Sequence, residues 1–298
     1  MTQAAIQVPP ARPVAQTLPA AEAPSPALGV TSYGASDRGL VRENNEDQFA
    51  IATLARALWV ERSSVRQPTI HYGNERGHLF IVADGVGGAR AGDKASAIAV
   101  GVVESFLLNA LQWVLSLDEP AEAMALKDLK AALQRADASV CAAAARDPGS
   151  KGMGTTLTLA YAIGADLFVA HVGDSRCYLQ RGGGLHQITR DHTLVQDLME
   201  QGVLKPGDKP DERIRHVITN VVGGGRPGVK AEVHRVPMQP GDIVLLCTDG
   251  LTGMVSDEQI TSCLVGCSDP RAACNELITL AKQNGGEDNV TVVIAKFA

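Results

Sequence analysis

The stretch "TTLTLAYAIGADLFVAHVGDSRCYLQRGGGLHQI", residues 155–188, decides the fold class. Its apolar runs are short, and glycine-centred breaks at Gly164–Ala165 and Gly182–Gly184 separate them. Such runs read as consecutive antiparallel strands joined by tight turns. Working outward, strand signals fall at 47–53, 78–84, 154–163, 166–173, 176–181, 229–236, 242–249 and 289–297. Helical signals cover 93–117, 121–146, 193–201, 256–265 and 269–284, with Ser256 and Asp269 placed as N-caps of the last two. Strands gathered in hairpins, with long helices set between the groups, predict an α+β layered fold. They argue against the βαβ alternation of a dinucleotide-binding sheet.

The bulk composition is that of a globular protein: 298 residues, 45% hydrophobic and 20% charged. A formal net charge of -6 argues against nucleic acid as a partner. Six cysteines lie mostly in apolar runs, where a reduced thiol packs as a small hydrophobe. Cys263, Cys267 and Cys274 match no standard zinc spacing and read as helical packing. Their usage points to a reducing, cytoplasmic compartment. Residues 1–29 hold six of the fifteen prolines and almost no charge, so they read as a disordered leader, with one domain over 30–298. No signal peptide is recognisable. The apolar run at 96–117 nears membrane-span length, but Glu104, Asn109 and Gln112 interrupt it, and it reads as a buried helix.

The chemistry sits at the ends of the strands. "FIVADG" ends in Asp84, "FVAHVGDS" reaches Asp174, and "IVLLCTDG" reaches Asp249. Asp288 in "GGEDNVTVVIA" and Asp47 in "RENNEDQFAIA" each precede an apolar strand instead. Any one of them could be turn chemistry, since Asp-Gly and Asp-Asn are common turn pairs. Five such carboxylates on strands that share a core would repel one another or protonate unless a counter-charge stood between them. Carboxylate donors without histidine or thiolate select a hard ion, Mg²⁺ or Mn²⁺. Gly85, having no side chain, would let its carbonyl approach such an ion. Two ions about 3.5–4 Å apart, bridged by Asp84, would activate a water for in-line attack at phosphorus. Arg42, five residues before Asp47, offers a guanidinium fork suited to phosphate oxygens.

Together these segments resemble the type 2C, metal-dependent (PPM) family of serine/threonine protein phosphatases in its bacterial form. The resemblance rests on "SDRGLVRENNEDQF", "FIVADGVGGARAGDKAS", "GMGTTLTLAYAIGADLFVAHVGDSRCYL", "ITRDHTLVQ", "HVITNVVGG", "GDIVLLCTDGLTGMVSDEQI" and "GGEDNVTVVIA", in the family's order from about Ser32 onward. It implies a four-layer αββα sandwich, two central antiparallel sheets flanked by helix pairs, with a dimetal site at one end. It also implies roles. Asp84 would bridge two Mn²⁺ or Mg²⁺ ions with the Gly85 carbonyl, Asp249 and Asp288 would complete the first ion's shell, and Asp47 would support the second, with Glu46 beside it. Asp174 would help hold a third ion, Arg42 would grip the substrate phosphate, and residues 190–226 would form a flap. Phosphorylated proteins, the targets of a serine/threonine kinase and the kinase itself, would be the partners of a monomeric chain that engages neither nucleic acid nor membrane.

One departure stands out. Family members often carry a histidine soon after the Asp-Gly pair, whereas this chain reads "DGVGGARAGD". Protonation of the leaving group then falls to a metal-bound water or to another side chain, with His192 in "RDHT" one candidate, while His171, inside "FVAHV", reads as a hydrogen-bonded core residue and Thr155 and Thr156 as sheet packing. A cysteine nucleophile in a C-x5-R loop is absent, which removes the phosphocysteine route. A catalytically weak, phosphoprotein-binding relative would be marked by lost aspartates, and none is missing. A nucleotide loop at "GVGG" would need a following Lys-Ser/Thr, which the chain lacks.

Overall fold

The computed structural model describes residues 28–62, 64, 70–87, 91–110, 119–205, 208, 211–225 and 227–298. The first half of the chain runs β1 (Val30–Asp37), β2 (Gln48–Trp59), β3 (Ile70–Ala83), β4 (Gly85–Val86), α1 (Ala91–Ala110), α2 (Glu119–Arg146), β5 (Gly154–Thr155), β6 (Leu157–Ile163) and β7 (Asp166–Val172). The second runs β8 (Arg176–Arg181), β9 (Gly184–Gln187), α3 (Leu194–Glu200), α4 (Glu212–Arg215), β10 (Val222–Gly223) and β11 (Glu232–Pro237). It ends with β12 (Ile243–Cys247), α5 (Asp249–Thr252), α6 (Asp257–Leu264), α7 (Pro270–Gln283) and β13 (Val290–Phe297).

Two antiparallel five-stranded sheets form, in the orders β1-β13-β12-β8-β9 and β11-β7-β6-β3-β2, with a small sheet β10-β5-β4 beside them. The alternation of side chains along each strand builds three cores. Phe80, Val82, Ala160 and Val169 of one sheet meet Leu179, Val244, Leu246 and Val293 of the other. On the outer face of the β6 sheet, Leu79, Ile81, Leu157 and Leu159 pack against Ala95, Val103, Leu129 and Leu133 of α1 and α2. On the far side, Leu245, Val292 and Ile294 pack against Ile260, Leu264, Leu277 and Ile278 of α6 and α7. The layers are therefore helix, sheet, sheet, helix, as the family resemblance implied. Strands buried on both faces explain the nearly continuous apolar runs.

Ser256 caps α6 with a full capping box whose N3 partner is Gln259, and Asp269 caps α7 with Pro270 in the first turn. Cys274 is buried in the α7 core with Cys263 and Cys267 packed nearby, and all six thiols are free. The run at 96–117 begins as part of α1, whose Ala99, Val103 and Leu107 are buried; residues 111–118 lie outside the described residues. Among the described residues no helix is long and apolar enough to cross a membrane. The leader read over 1–29 falls outside the described residues except for Leu28 and Gly29, and the Gly29 amide donates to the Ala298 carbonyl at 2.9 Å.

One expectation from residues 155–188 is corrected. β6 and β7 form a hairpin across Gly164–Ala165, and β8 and β9 form another, but β7 and β8 do not pair. The chain crosses from one sheet to the other through Gly173–Ser175. Asp174 stands in that crossing. β1 and the two-residue strands β4 and β10 add pairings that the apolar runs did not announce.

Candidate active site

Antiparallel pairing sets the end of one strand beside the start of its neighbour. β2 pairs with β3 so that Gln48 faces Ala83, which puts Asp47 and Asp84 side by side at one end of their sheet. β12 pairs with β13 so that Cys247 faces Val292, which does the same for Asp249 and Asp288 in the other sheet. The two pairs meet at the same end of the sandwich, and the sheet-to-sheet crossing delivers Asp174 there. A cleft of about 980 Å³ is lined by Asp84, Gly85, Asp174, Asp249 and Asp288, together with Arg42 and Glu46. Asp47 lies behind this wall, with its charge felt by Asp84.

Asp84 is held by its backbone. Its amide donates to the Thr156 hydroxyl at 2.9 Å, and its carbonyl accepts from the Thr155 hydroxyl and the Thr156 amide, both at 2.8 Å. The two threonines thus fix the end of β3 as well as filling the sheet. The glycines after the aspartates are not turn residues here. A Cβ on Gly85 would lie 2.4 Å from the Gly92 backbone, and one on Gly250 would lie 1.9 Å from the Asn289 carbonyl oxygen. Both positions exclude a side chain because another backbone passes against them.

Asn289 organises the loop that carries Arg42. Its side-chain amide donates to the Arg38 and Asn44 carbonyls at 3.0 and 2.8 Å, and its side-chain oxygen accepts from the Glu46 amide at 2.8 Å. Arg42 reaches over the cleft, and its Nη2 donates to Asp288 Oδ2 at 2.6 Å.

The electrostatics follow from burial and like charge. Burial, followed by the charges of Asp47, Asp249, Asp174 and Asp288, pushes the Asp84 carboxyl well above the ordinary range. Burial pushes Asp47 up to about 7 even though the Thr291 and Thr248 hydroxyls donate to its Oδ2 at 2.7 and 2.8 Å. Burial pushes Asp174 up to about 7, with Asp249 adding to it. Asp249 is raised by burial and by Asp288. Oδ1 of Asp47, of Asp174 and of Asp249 is buried without a hydrogen-bond partner. The carboxylates gather without closing on one point: among the described residues no three His, Cys, Asp or Glu side chains stand ready as a ligand set. Like charges separate unless a cation lies between them, and Asp288 and Asp47 have Arg42 and two threonines as partners. An all-oxygen donor set with three unpartnered buried oxygens suits a hard divalent ion.

His192 is not placed as a proton donor to the cleft. Its Nδ1 accepts from the Gly173 amide at 3.1 Å, its Nε2 lies 3.4 Å from Glu232 Oε2, and its ring stacks on His171 at 4.9 Å. It is buried structure behind Asp174. His171 bonds Thr158 and the Arg190 carbonyl, as a core histidine should, and burial lowers it to about 4. In the segment read as a flap, α3 and α4 are joined to one another through a bridge between Thr193 and Ile218. His216 and Ile218 of this segment line the cleft. Sequence reasoning passed over His216, Asn289 and the threonine clamp on Asp84. The one signal for His216 was an imidazole inside "RHVITN", a stretch already matched to the flap.

Comparison with known proteins identifies the family. The family model for protein phosphatase 2C matches residues 60–272. The serine/threonine protein phosphatase PstP of Mycobacterium tuberculosis is 36% identical over 267 residues, covering 89% of this chain and 45% of that protein. The chain thus spans about half the length of that relative. A serine/threonine phosphatase, stp, of Listeria monocytogenes is 32% identical over 262 residues, covering 88% of this chain and 93% of its own. The crystal structure of the catalytic domain of PstP in complex with two manganese ions superposes with a TM-score of 0.70 at 33% identity, covering 91% of this chain and 100% of that one.

Proposed function

Because the chain belongs to the protein phosphatase 2C family, we propose that it hydrolyses phosphoserine and phosphothreonine in proteins by direct attack of water, in a site that holds two Mn²⁺ or Mg²⁺ ions. The observation that carries this reading is the meeting of Asp84, Asp174, Asp249 and Asp288 in one cleft beside Arg42, with buried carboxylate oxygens left unpartnered. Asp84 and the Gly85 carbonyl would help hold the ions, Asp249 and Asp288 would complete the ligands of one, and Asp47 would support the other. Asp174 would serve a third ion. When bound, the ions would supply an acidified water and offset the charge that gathers on the phosphoryl oxygens.

The protein's own residues bind and orient. One Arg42 nitrogen holds Asp288, and the rest of the guanidinium fork is left for the phosphate oxygens. Phosphorus would then lie over the carboxylate floor, with the seryl or threonyl oxygen directed away from it for in-line departure. The threonine clamp on Asp84 and the Asn289 stitches hold both sides of the cleft in register, so little reorganisation is needed on binding. The substrates we infer are phosphoproteins made by a serine/threonine kinase, with that kinase among them. Free thiols support work in the reducing cytoplasm.

Turnover of p-nitrophenyl phosphate and of a phosphothreonine peptide with Mn²⁺ tests the reading. Asp249→Asn should lower kcat by about 100-fold or more, and EDTA should stop the wild type. Activity indifferent to EDTA would overturn it.

A further inference from the structure

Hydrolysis of a phosphoserine leaves an alkoxide, a far poorer leaving group than a phenolate, so a proton delivered to that oxygen as it departs lowers the barrier. Few groups in the cleft can give one. Arg42 does not release its proton at any ordinary pH. The carboxylates on the floor would be taken up, ionised, by the ions proposed above. Glu43 and Glu287 lie at the exposed rim. Among the described residues that line the cleft, His216 is the single imidazole.

Its setting differs from that of the two histidines behind the site. His171 and His192 are buried with both ring nitrogens engaged. His216 is exposed at the C-terminal cap of α4, and no hydrogen bond joins its ring to another described residue. Its charge bears on Asp249 across the cleft. The backbone around it is anchored: the Leu194 amide donates to the Val217 carbonyl at 2.9 Å, and the Thr219 amide donates to the His192 carbonyl at 2.8 Å. A ring with no hydrogen bond to another described residue is thus carried into the cleft by a pinned segment. Imidazole is also the side chain suited to exchanging protons near neutral pH.

Building on the phosphatase reading above, we propose that His216 is the general acid, donating its ring proton to the departing seryl or threonyl oxygen. The water oxygen bonds to phosphorus as the bond from phosphorus to the alcohol oxygen breaks. The alcohol oxygen keeps the bonding pair and takes the N–H proton of His216. Hydrogen phosphate retains one hydrogen of the water, and the other, released to solvent, is balanced by the proton that returns to the imidazole.

The test is a leaving-group series in His216→Ala and His216→Gln, run with Mn²⁺ on a phosphoserine peptide, phenyl phosphate and p-nitrophenyl phosphate. The loss in kcat should grow with the basicity of the leaving oxygen, from about 5-fold for p-nitrophenyl phosphate to about 100-fold for the peptide, with KM shifting less than about threefold. A loss equal across the series, or none on the peptide, would overturn the assignment while leaving the phosphatase reading standing. A wild type inactive on all three substrates would remove that reading and this assignment with it. A readout independent of turnover is the ring-nitrogen resonances. Orthophosphate added to the Mg²⁺-loaded protein should move those of His216 and leave those of His171 and His192 in place, and a still His216 would count against the role.

Discussion

At the scale of single residues, backbone contact sets the identity of the positions beside the aspartates. A methyl group on Gly250 would have to occupy the space of the Asn289 carbonyl oxygen, and neither partner is a flexible side-chain tip that could move away. Gly250→Ala should therefore cost more than about 3 kcal/mol, seen as a lowered thermal midpoint. Gly101 offers the opposite case, lying exposed within α1 with nothing within 4 Å of an added Cβ. Gly101→Ala should stabilise by about 0.5–1 kcal/mol through helix propensity, and a destabilised Gly101→Ala together with a tolerated Gly250→Ala would refute this account. The aspartates were legible because a carboxylate at the end of an apolar run is conspicuous in any sequence. Asn289 and Thr156 were not: their partners are main-chain groups up to 251 residues away, and such bonds leave no local pattern.

At the scale of elements, apolar runs located the strands but did not tell which strand pairs with which. Val169 in β7 and Leu179 in β8 enter the same inter-sheet core from opposite sheets, so their runs look alike whether or not they are neighbours. The two-residue strands carry no period at all, yet β10-β5-β4 links the end of the flap segment to Gly85. That link has an anchor in α2. The buried Asp137 carboxylate accepts from the Gly223 and Gly228 amides, both at 2.8 Å, and from Val229 at 3.3 Å. Removing it strands the donors of buried Gly223 and Val229, each worth about 1–3 kcal/mol if left unpaired, and leaves that of exposed Gly228 to water. Asp137→Ala should lose at least about 2 kcal/mol in denaturant unfolding. Amide exchange should accelerate over 222–229 well before it does in β6. Uniform acceleration across the molecule would mean that Asp137 stabilises the fold generally and not this loop.

At the scale of the whole molecule, the sandwich brings two pairs of strand ends and one inter-sheet crossing together, and so gathers five buried or half-buried carboxylates that an unfolded chain would keep apart. Asp47 and Asp174 move from the ordinary carboxylate range up to about 7, and Asp84 and Asp249 are raised as well. In each case the folded state holds its proton to higher pH than the unfolded state does. The stability these groups contribute is complete below the ordinary carboxylate range near pH 4 and is lost as pH rises toward 7. Asp147 and Glu232 shift the other way, both to about 2, so the stability they add is present above that range and is lost only in acid. Between about pH 4.5 and 7.5 buried His171, lowered to about 4, works in the opposite direction, but it is one group against four raised aspartates, which should dominate. The metal-free protein should melt several degrees lower at pH 7.5 than at pH 5. A divalent ion binds the ionised carboxylates and competes with their protons, so saturating Mn²⁺ should raise the midpoint more at pH 7.5 than at pH 5. Scanning calorimetry at the two pH values, with EDTA and with Mn²⁺, reads both slopes. A metal-free midpoint that rises over this window, or an Mn²⁺ effect larger at the lower pH, would show that the gathered carboxylates are not under the strain of shared charge from which the metal site was inferred.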